Sequence, residues 1–267
     1  MKPEFDAIAE NYDQSFTDSA IGRLQRDQVY RFLEPVLKSL KGNTILDLGC
    51  GTGEDAIWFA NRDFNVVAID YSTEMIRVAN QKTIAKNLQS RIKYYPLSMT
   101  ALDQLPTDRK FDLIFSDFGA LNCIDTAFLA SLSQTLYNRL EPHGHFVAVI
   151  LNQFCLWESF YFILKRKWKS AFRRLSKDEI MAPLSAAVKI RTHYYNPRSF
   201  YSFFQNDFTN PKYSSIGLFV PPSYLIWFQK DKNVKWLSLF NKMDSLNPFK
   251  KSSAYASDHF IIHMTRK

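Results

Sequence analysis

The chain has few cysteines, only Cys50, Cys123 and Cys155 among its 267 residues. Their number is odd and no pair has the spacing of a metal site, so we expect free thiols, no bound metal and a reducing cytoplasmic setting. The chain also lacks any uninterrupted apolar run of about 18 residues, the length that a membrane-spanning helix needs. We recognise no secretory signal at its start.

Acidic residues are fewer than basic ones, 26 against 34, which gives a net charge of +8. A basic protein favours anionic partners, namely phosphorylated small molecules, nucleic acid or an anionic membrane surface, and the charge alone does not choose among them. Aromatic residues are abundant by contrast, at 15% of the chain. This excess is typical of either a large apolar core or an apolar cavity.

Glycine is scarce too, and three of the eight glycines lie within one stretch, ILDLGCGTGEDAIWFA, at residues 45–60. The stretch begins as an apolar run that predicts a buried strand, and it continues as a helix. Further apolar runs, separated by helical segments, follow up to residue 151, and two more strands are predicted at 212–219 and 258–267. Strands that alternate with helices predict a parallel sheet with helices on both faces.

We therefore expect an α/β fold with a Rossmann-like, mostly parallel sheet of seven strands. Residues 1–151 would form the N-terminal helices and the ligand-binding core, and residues 152–267 would complete the same sheet. Two aromatic blocks, about 152–190 and 220–256, exceed usual loop lengths. We expect the two blocks to pack together as an inserted cap over the crevice at the strand ends.

Sheets of this kind bind ligands at the carboxyl ends of their strands. The ends of the first four predicted strands are therefore expected to surround one crevice, and they are residues 47–53, Asp70, Ser98 and Asp117. The glycines follow the pattern G-x-G-x-G, which differs from the G-x-G-x-x-G pattern of dinucleotide sites.

Asp47 stands two positions before the first of these glycines. Its carboxylate would repel a pyrophosphate and attract the ammonium group of an amino acid. Asp70 ends the second strand, where a carboxylate can accept hydrogen bonds from ribose hydroxyls. A ligand that has an amino-acid end and a ribose, but no pyrophosphate, is S-adenosylmethionine (SAM).

The segments ILDLGCGTG and VVAIDYSTEMI resemble class I SAM-dependent methyltransferases, in particular the small-molecule branch near the ubiquinone/menaquinone-type enzymes. The opening FDAIAENYDQSF is similar to the Tyr-Asp segment with which chains of that branch often begin. The resemblance covers about residues 4–150, and the final DHFIIHMTRK is similar to the family's closing antiparallel hairpin.

The resemblance implies contacts to the ammonium group, the ribose and the adenine of SAM. Asp47 would orient the ammonium group through water, and Asp70 would bind the ribose hydroxyls. Around the rest of the cofactor the resemblance places Tyr12 as a lid, the backbone of Gly49, Cys50, Gly51 and Gly53 along methionine and ribose, Tyr71, Met75, Ser98 and Met99 around the adenine, and Asp117 and Phe118 under the methionine.

Methyl transfer requires that a nucleophile be aligned with the methyl group, that water be excluded and, for some acceptors, that a proton be removed. Asp117 and His193 are the candidate catalytic bases, with Tyr195 a further candidate, and Asp117 has the best position. The other histidines are predicted to lie in a turn or on strands far from the crevice, and they are His143, His145, His259 and His263.

These observations predict a SAM-dependent methyltransferase whose small, apolar or aromatic acceptor is held under the cap. Within 154–174, six basic residues follow an aromatic run, a pattern typical of peripheral membrane contact, of a grip on an anionic substrate, or of a solvated helix end. Two alternatives stay open, a tRNA methyltransferase that uses the basic surface and a SAM-binding protein without turnover. Nucleic acid ranks lower because no RNA-binding module is recognised.

Overall fold

The computed structural model describes residues 4–176, 179–183, 188–224 and 234–267. The strands of this part of the chain are β1 (Thr44–Leu48), β2 (Asn65–Asp70), β3 (Ile92–Pro96), β4 (Phe111–Ser116), β5 (Leu140–Leu151), β6 (Ile180–Pro183), β7 (Lys189–Thr192), β8 (Phe208–Ile216) and β9 (His259–Arg266). Within the described residues one sheet has seven strands, in the order β3-β2-β1-β4-β5-β9-β8, and β6 and β7 form a separate hairpin. Strands β1 to β5 are parallel, and β9 is antiparallel to both β5 and β8. The predicted mostly parallel sheet is confirmed.

Several of the helices start at a residue whose side chain caps them. The described α-helices are α1 (Ala9–Tyr12), α2 (Ala20–Ser39), α3 (Glu54–Ala60), α4 (Thr73–Ala85), α5 (Thr126–Arg139), α6 (Leu156–Leu164), α7 (Trp168–Ala171), α8 (Pro197–Ser202), α9 (Val234–Leu246) and α10 (Lys250–Ser253). Ser72 accepts a hydrogen bond from the Met75 amide at 3.1 Å and so caps α4. None of the described helices combines the length and the apolar character that a bilayer crossing requires.

Helices cover both faces of the sheet, because successive side chains of its strands point to opposite sides. On β1, Ile45 packs in the cluster that contains α2 and α3. Leu46 and Leu48 pack in the cluster that contains α5 and α8. All three side chains are fully buried, which explains why the strand is an apolar run rather than an alternating one.

Part of the aromatic excess forms this core. The rings of Phe146, Phe204 and Phe208 lie with centroids 5.2 to 6.0 Å apart on the α5 side of the sheet. Each of these rings is completely buried. Of the two interpretations of the composition, core packing therefore accounts for these phenylalanines.

Strand β8 begins four residues before the predicted start at residue 212. The pattern missed this part because Pro211 interrupts it, and proline has no amide hydrogen for a sheet. The structure accommodates the proline with a shift of register between Thr209 and Lys212.

The two predicted aromatic blocks contact each other. The ring of Trp157 in α6 lies 5.7 Å from that of Phe240 in α9, and its indole nitrogen donates to the Phe219 carbonyl oxygen at 2.9 Å. Buried Arg174 donates to Glu158 and to Asp258, both at 2.8 Å. The first block is therefore attached both to the second block and to the start of β9. Residues 177–178, 184–187 and 225–233 of the predicted cap lie outside the described residues.

Candidate active site

The loop between β1 and α3 turns with positive φ angles, +52° at Gly51 and +77° at Gly53. A Cβ atom at Gly53 would collide with the Tyr94 hydroxyl, so this glycine is required for packing. A Cβ atom at Gly51 would meet no atom of the described residues within 4 Å, so the backbone there faces open space. The Gly51 amide donates to Oδ2 of Asp70 at 2.9 Å. The loop therefore leaves room for a ligand beside Asp70.

Gly49 and Cys50 fasten this loop to β2. Their amides donate to the carbonyl oxygen of Ile69 at 2.8 and 3.0 Å. Burial raises the pKa of the Cys50 thiol well above its usual range, so the thiol stays protonated and is a poor nucleophile. The Met99 methyl group lies 3.1 Å from the position of a Cβ built on Gly49, so Met99 reaches the loop from the segment that follows β3.

Asp70 is held by two backbone amides. Oδ1 accepts from the Ser72 amide at 2.8 Å, and Oδ2 accepts from the Gly51 amide at 2.9 Å. Burial raises the pKa of Asp70, and these two hydrogen bonds oppose the rise. Each carboxylate oxygen can accept more than one hydrogen bond, so both remain able to receive ligand hydroxyl groups.

The residues predicted to surround an adenine differ in exposure. Tyr71 is 59% exposed beside Asp70, whereas Met75 is buried on the inner side of α4. The Ser98 hydroxyl lies 2.7 Å from that of Thr100 and caps the helical turn Met99–Gln104. Their contact with an adenine stays a prediction.

A buried charged cluster lies next to this loop. Arg26 of α2 forms ion pairs with Asp55 of α3 and, at 3.2 Å, with Asp117 after β4. Asp47 is only 1% exposed, and its Oδ2 atom has no hydrogen-bond partner among the described residues. Nε of Arg26 also has none there. Two carboxylates thus pair with one guanidinium, and the third, Asp47, lies within its electrostatic reach without a partner of its own, so the cluster can hold a further cationic group.

The electrostatics of the cluster agree with that role. Burial and the charge of Asp55 raise the pKa values of Asp47 and Asp117 well above the usual range, against the opposing charge of Arg26. The Phe118 amide donates to Oδ1 of Asp117 at 2.8 Å and favours its ionised form. A cation bound here would favour ionisation of both carboxyl groups further.

The N-terminal segment covers the glycine loop. Asp13 accepts hydrogen bonds from Thr52 of the loop at 2.6 Å and from Lys82 of α4 at 2.8 Å. Burial opposes ionisation of Asp13, but these bonds outweigh it and lower its pKa. Burial raises the pKa of the Tyr12 phenol, which lies within electrostatic reach of Arg26. The lid position of Tyr12 stays a prediction.

Comparison with known proteins indicates the methyltransferase family that the sequence resembles. The profile of the methyltransferase domain family matches residues 45–144. A demethylmenaquinone methyltransferase of Lactobacillus johnsonii is 31% identical over 52% of this chain and 56% of its own length. An uncharacterized protein of Methanocaldococcus jannaschii is 24% identical over 73% of this chain and 70% of its own length.

Solved structures agree with the sequence comparisons. A putative SAM-dependent methyltransferase from Listeria monocytogenes superposes with a TM-score of 0.56 at 16% identity, over 84% of this chain and 90% of that one. This likeness shows the fold. Residues 45–144 are a methyltransferase domain, and the matches support the class I SAM-dependent methyltransferases as its family. It spans a little more than half the length of the demethylmenaquinone methyltransferase that it matches.

The cofactor of this methyltransferase is SAM, and the residues present fit it. Oδ2 of buried Asp47, which has no partner within the described residues, suits an ammonium group, and the open space beside Gly51 suits a ligand that approaches the backbone. The carboxylate of Asp70 borders the same loop. The glycine spacing and the strand ends predict all three of these residues.

The two predicted catalytic residues of the methyltransferase, Asp117 and His193, are held by different contacts. Asp117 belongs to the charged cluster, whereas the His193 backbone is bound to Asn122, in the turn that follows β4. The His193 amide donates to the Asn122 carbonyl at 2.8 Å, and the Asn122 side chain donates to the His193 carbonyl at 2.6 Å. The described residues show no hydrogen bond between the side chains of Asp117 and His193. A catalytic role of either stays a prediction.

The expectation that His259 lies far from the crevice is wrong. β9 is antiparallel to β5, so its first residue, His259, pairs with Leu151 at the carboxyl end of β5. The imidazole of His259 contacts the Phe118 ring edge-on, with centroids 5.4 Å apart. Its Nδ1 lies 3.3 Å from Oδ2 of Asp258. His259 therefore reaches the residue that follows Asp117.

Arg26 is the main residue that sequence reasoning missed. Its position in the sequence could have identified it, because it lies on the same helical face of α2 as Val29 and Leu33, both fully buried. A charged residue on the apolar face of an amphipathic helix needs a buried partner. The sequence alone does not identify Asp55 and Asp117 as the partners, because they come from other elements.

Proposed function

We propose that this methyltransferase transfers the methyl group of SAM to a small, partly apolar or aromatic acceptor held beside Phe118. The observation that carries the proposal is the cluster of Asp47, Arg26 and Asp117 at the carboxyl ends of β1 and β4. The cluster lies between the glycine loop, which suits the cofactor, and an aromatic contact at Phe118, which suits an acceptor. The matched Lactobacillus johnsonii relative is named for a methyl transfer to demethylmenaquinone.

The residues of the chain have separate tasks around the cofactor. When bound, SAM supplies a methyl group on a positively charged sulfur, which is already a strong electrophile. Asp47 would bind the ammonium group, and Arg26 would turn its Nε, which has no partner among the described residues, towards the cofactor carboxylate. Asp70 would accept the ribose hydroxyl groups. The hydrogen bonds of Asp13 with Thr52 and Lys82 would keep the N-terminal segment closed over the cofactor and exclude water.

Aromatic rings border the place proposed for the acceptor. The Phe118 ring contacts Phe16 at 5.0 Å and His259 at 5.4 Å, both edge-on. The guanidinium of Arg26 lies 4.9 Å from the Phe118 ring centroid. Such a ring offers a flat apolar contact to an aromatic acceptor, and it would orient the acceptor towards the methyl group.

An acceptor with a hydroxyl or amine group must lose a proton. Asp117 and His193 are the proposed proton acceptors from the sequence, and His259 joins them because of its contact with Phe118. Nδ1 of His259 lies 3.3 Å from Oδ2 of Asp258, a contact that would hold the imidazole in place beside Phe118. Asp258 carries a lowered pKa because, against the effect of burial, its charged neighbours His259 and Arg174 favour the carboxylate.

The proposal also assigns a task to each part of the chain. Residues 1–151 would bind SAM, and residues 152–267 would complete the sheet and supply the cap over the acceptor, supported by the Trp157–Phe240 contact. Segment 154–174 would touch a membrane surface. A cytoplasmic location agrees with the three free cysteines.

The experiment is methyl transfer from radiolabelled SAM to panels of quinols, phenols and tRNA. Label in the organic extract, dependent on a hydroxylated aromatic acceptor, would support the proposal. Label that precipitates with tRNA would replace it with the tRNA methyltransferase alternative. Tight SAM binding without label in either fraction would favour a SAM-binding protein without turnover.

A matched pair of variants makes the result specific to the site. Phe118→Ala should raise the KM for an aromatic acceptor, because it removes the ring that the acceptor contacts. Phe128→Ala offers a control, since Phe128 packs on the α5 side of the sheet. An equal effect of both substitutions would contradict the assignment of the acceptor to Phe118.

A further inference from the structure

The exposed apolar side chains of the chain are concentrated in one region. Of the large apolar residues that are exposed in the described part of the chain, only Tyr71 and Ile84 lie outside residues 156–255. Tyr71 borders the proposed cofactor site. Apolar residues scattered singly on a protein surface are ordinary, whereas exposed apolar side chains that share one helix face mark an interaction surface.

Helix α6 shows how the region is built. Leu156, Phe160 and Leu164 follow one another at intervals of four residues, so they form one stripe, and all three are more than half exposed. The opposite face carries Glu158 and Ser159, which are buried. This helix thus exposes a stripe of three apolar residues and buries two polar ones, unlike an ordinary surface helix, while Trp157 packs against α9.

Helix α9 repeats this arrangement. Trp236, Leu239, Met243 and Leu246 form an exposed stripe at intervals of three and four residues. The face that contacts the protein carries Leu237 and Asp244, both buried. Phe249 extends the stripe beyond the helix and is 71% exposed.

The two helices belong to one structural unit. The Trp157–Phe240 ring contact joins α6 to α9 directly. Phe219 joins both as well, since its carbonyl accepts from Trp157 and its amide donates to Asp244 at 3.1 Å. The stripes are therefore carried on helices that pack against each other.

Charge distinguishes the class of partner. Every exposed charged side chain in 154–176 and in 234–256 is basic, and the exposed ones are Lys165, Arg166, Lys167, Lys169, Lys235, Lys242, Lys250 and Lys251. The two acidic residues of these segments, Glu158 and Asp244, are buried and satisfied. Glu158 accepts from Arg173 and Arg174, and Asp244 accepts from the amides of Phe219 and Val220.

We propose that α6 and α9, together with the lysines beside them, form a docking surface for an anionic lipid bilayer. Exposed Trp, Phe and Leu side chains next to lysines match the interfacial region of a membrane, where apolar groups enter the acyl boundary and cations meet lipid phosphates. The surface extends the membrane contact of segment 154–174 to a second helix, and it does not depend on methyl transfer.

The test is sedimentation of the full chain with lipid vesicles. The chain should sediment with phosphatidylcholine vesicles that contain phosphatidylglycerol, and the bound fraction should fall in high salt or with phosphatidylcholine alone. Absence of binding to the anionic vesicles would overturn the proposal. Equal binding to both vesicle types would overturn its electrostatic part.

Matched variants assign the binding to this surface. The double variant Leu164→Ser, Phe249→Ser and the double variant Lys165→Glu, Lys167→Glu should each bind anionic vesicles at least about tenfold more weakly. Ile84→Ser is the apolar control, since Ile84 is 57% exposed on α4, and Lys93→Glu is the charge control. Unchanged binding of both double variants would contradict the assignment.

Two further measurements separate this proposal from others. Calorimetry with SAM should give the same affinity for all four variants, which shows that they are folded and that the cofactor site is independent of the surface. Analytical ultracentrifugation tests a second copy of the chain as the occupant. A dimer that the Leu164→Ser, Phe249→Ser variant dissociates, without any vesicle binding by the wild type, would replace the bilayer with a dimer interface.

Discussion

Nη1 of Arg26 lies 3.2 Å from Oδ2 of Asp117, although the two residues are 91 positions apart in the chain. Arg26 comes from helix α2, which precedes the sheet, and Asp117 follows the fourth strand. The same guanidinium binds Asp55 at the start of α3. One buried cation thus connects three elements around the proposed cofactor site, and it compensates carboxylates that would otherwise repel one another.

Replacement of Arg26 should therefore destabilise the fold as well as the site. Arg26→Ala leaves Asp55 and Asp117 buried without this cation, and we expect the free energy of unfolding to fall by about 3 to 5 kcal/mol. Urea unfolding measures this change. Arg31→Ala on the same helix is the control, because the Arg31–Asp27 pair is exposed, and its effect should stay within about 0.5 kcal/mol. Similar losses in both variants would contradict the central role of Arg26.

Asp47→Asn should separate stability from cofactor affinity. The folded pKa of Asp47 is raised by burial, so the stability that this group contributes is present at low pH and is lost as the pH rises through the folded value. At neutral pH the asparagine variant should thus unfold less readily, because each tenfold difference in proton affinity between the folded and unfolded chain is worth about 1.4 kcal/mol. Its affinity for SAM should fall, because the ammonium group loses a charged partner. Full SAM affinity in the Asp47→Asn variant would count against the assignment.

Binding of SAM should release protons. The free site has raised pKa values at Asp47 and Asp117, and a bound cation lowers them. The affinity should therefore increase as the pH rises from the ordinary aspartate pKa of 3.8 through the raised values. Calorimetry in two buffers of different ionisation enthalpy measures the protons released. In Asp47→Asn the pH dependence should be flatter, and an identical slope would argue against the linkage.

Asp70→Ala should weaken SAM binding through the ribose. Loss of hydrogen bonds to a charged acceptor costs about 1.5 to 3 kcal/mol each, which corresponds to a factor of roughly ten to more than a hundred in the dissociation constant. Asp63→Ala is the matched control, since the Asp63 side chain is 89% exposed and pairs with Arg91 at the surface. Calorimetry compares the two. If Asp70→Ala binds SAM like the wild type, the ribose assignment is wrong.

His259→Gln should lower kcat by about 10² to 10⁴ with an acceptor that must lose a proton, because general bases typically contribute that much. SAM affinity should not change, since the proposed contact is with the acceptor. His263→Gln is the control on the same strand, where His263 pairs with His145 at 2.7 Å. A kcat that depends on pH in the wild type and loses this dependence in His259→Gln would support the role. Equal kcat values in the wild type and both variants would remove His259 from the mechanism.

Much of the sheet and part of the site followed from local patterns. The apolar runs that end at Asp47, Asp70 and Asp117 predict strands, and parallel strands bring their carboxyl ends to one edge regardless of what lies between them. The positions of these carboxylates were therefore expected before any contact was known. The glycine spacing and Asp47 also indicated a cofactor with an ammonium group.

The remaining site residues needed the strand order. His259 was predicted far from the crevice because the resemblance implies an antiparallel closing hairpin but does not reveal that β9 starts beside the carboxyl end of β5. Arg26 was not singled out because its partners Asp55 and Asp117 belong to elements that meet it only after the helices have packed on the sheet.

The sequence by itself determined the fold class and the chemistry of the cofactor, because helix and strand periods and the residues at strand ends are local properties. Only the tertiary structure decided which aromatic residues form the core, such as Phe146, and which form an exposed stripe, such as Phe160. The composition does not distinguish a buried aromatic ring from an exposed one. Burial depends on which face of each element meets a neighbour, and that is a property of the whole packed chain.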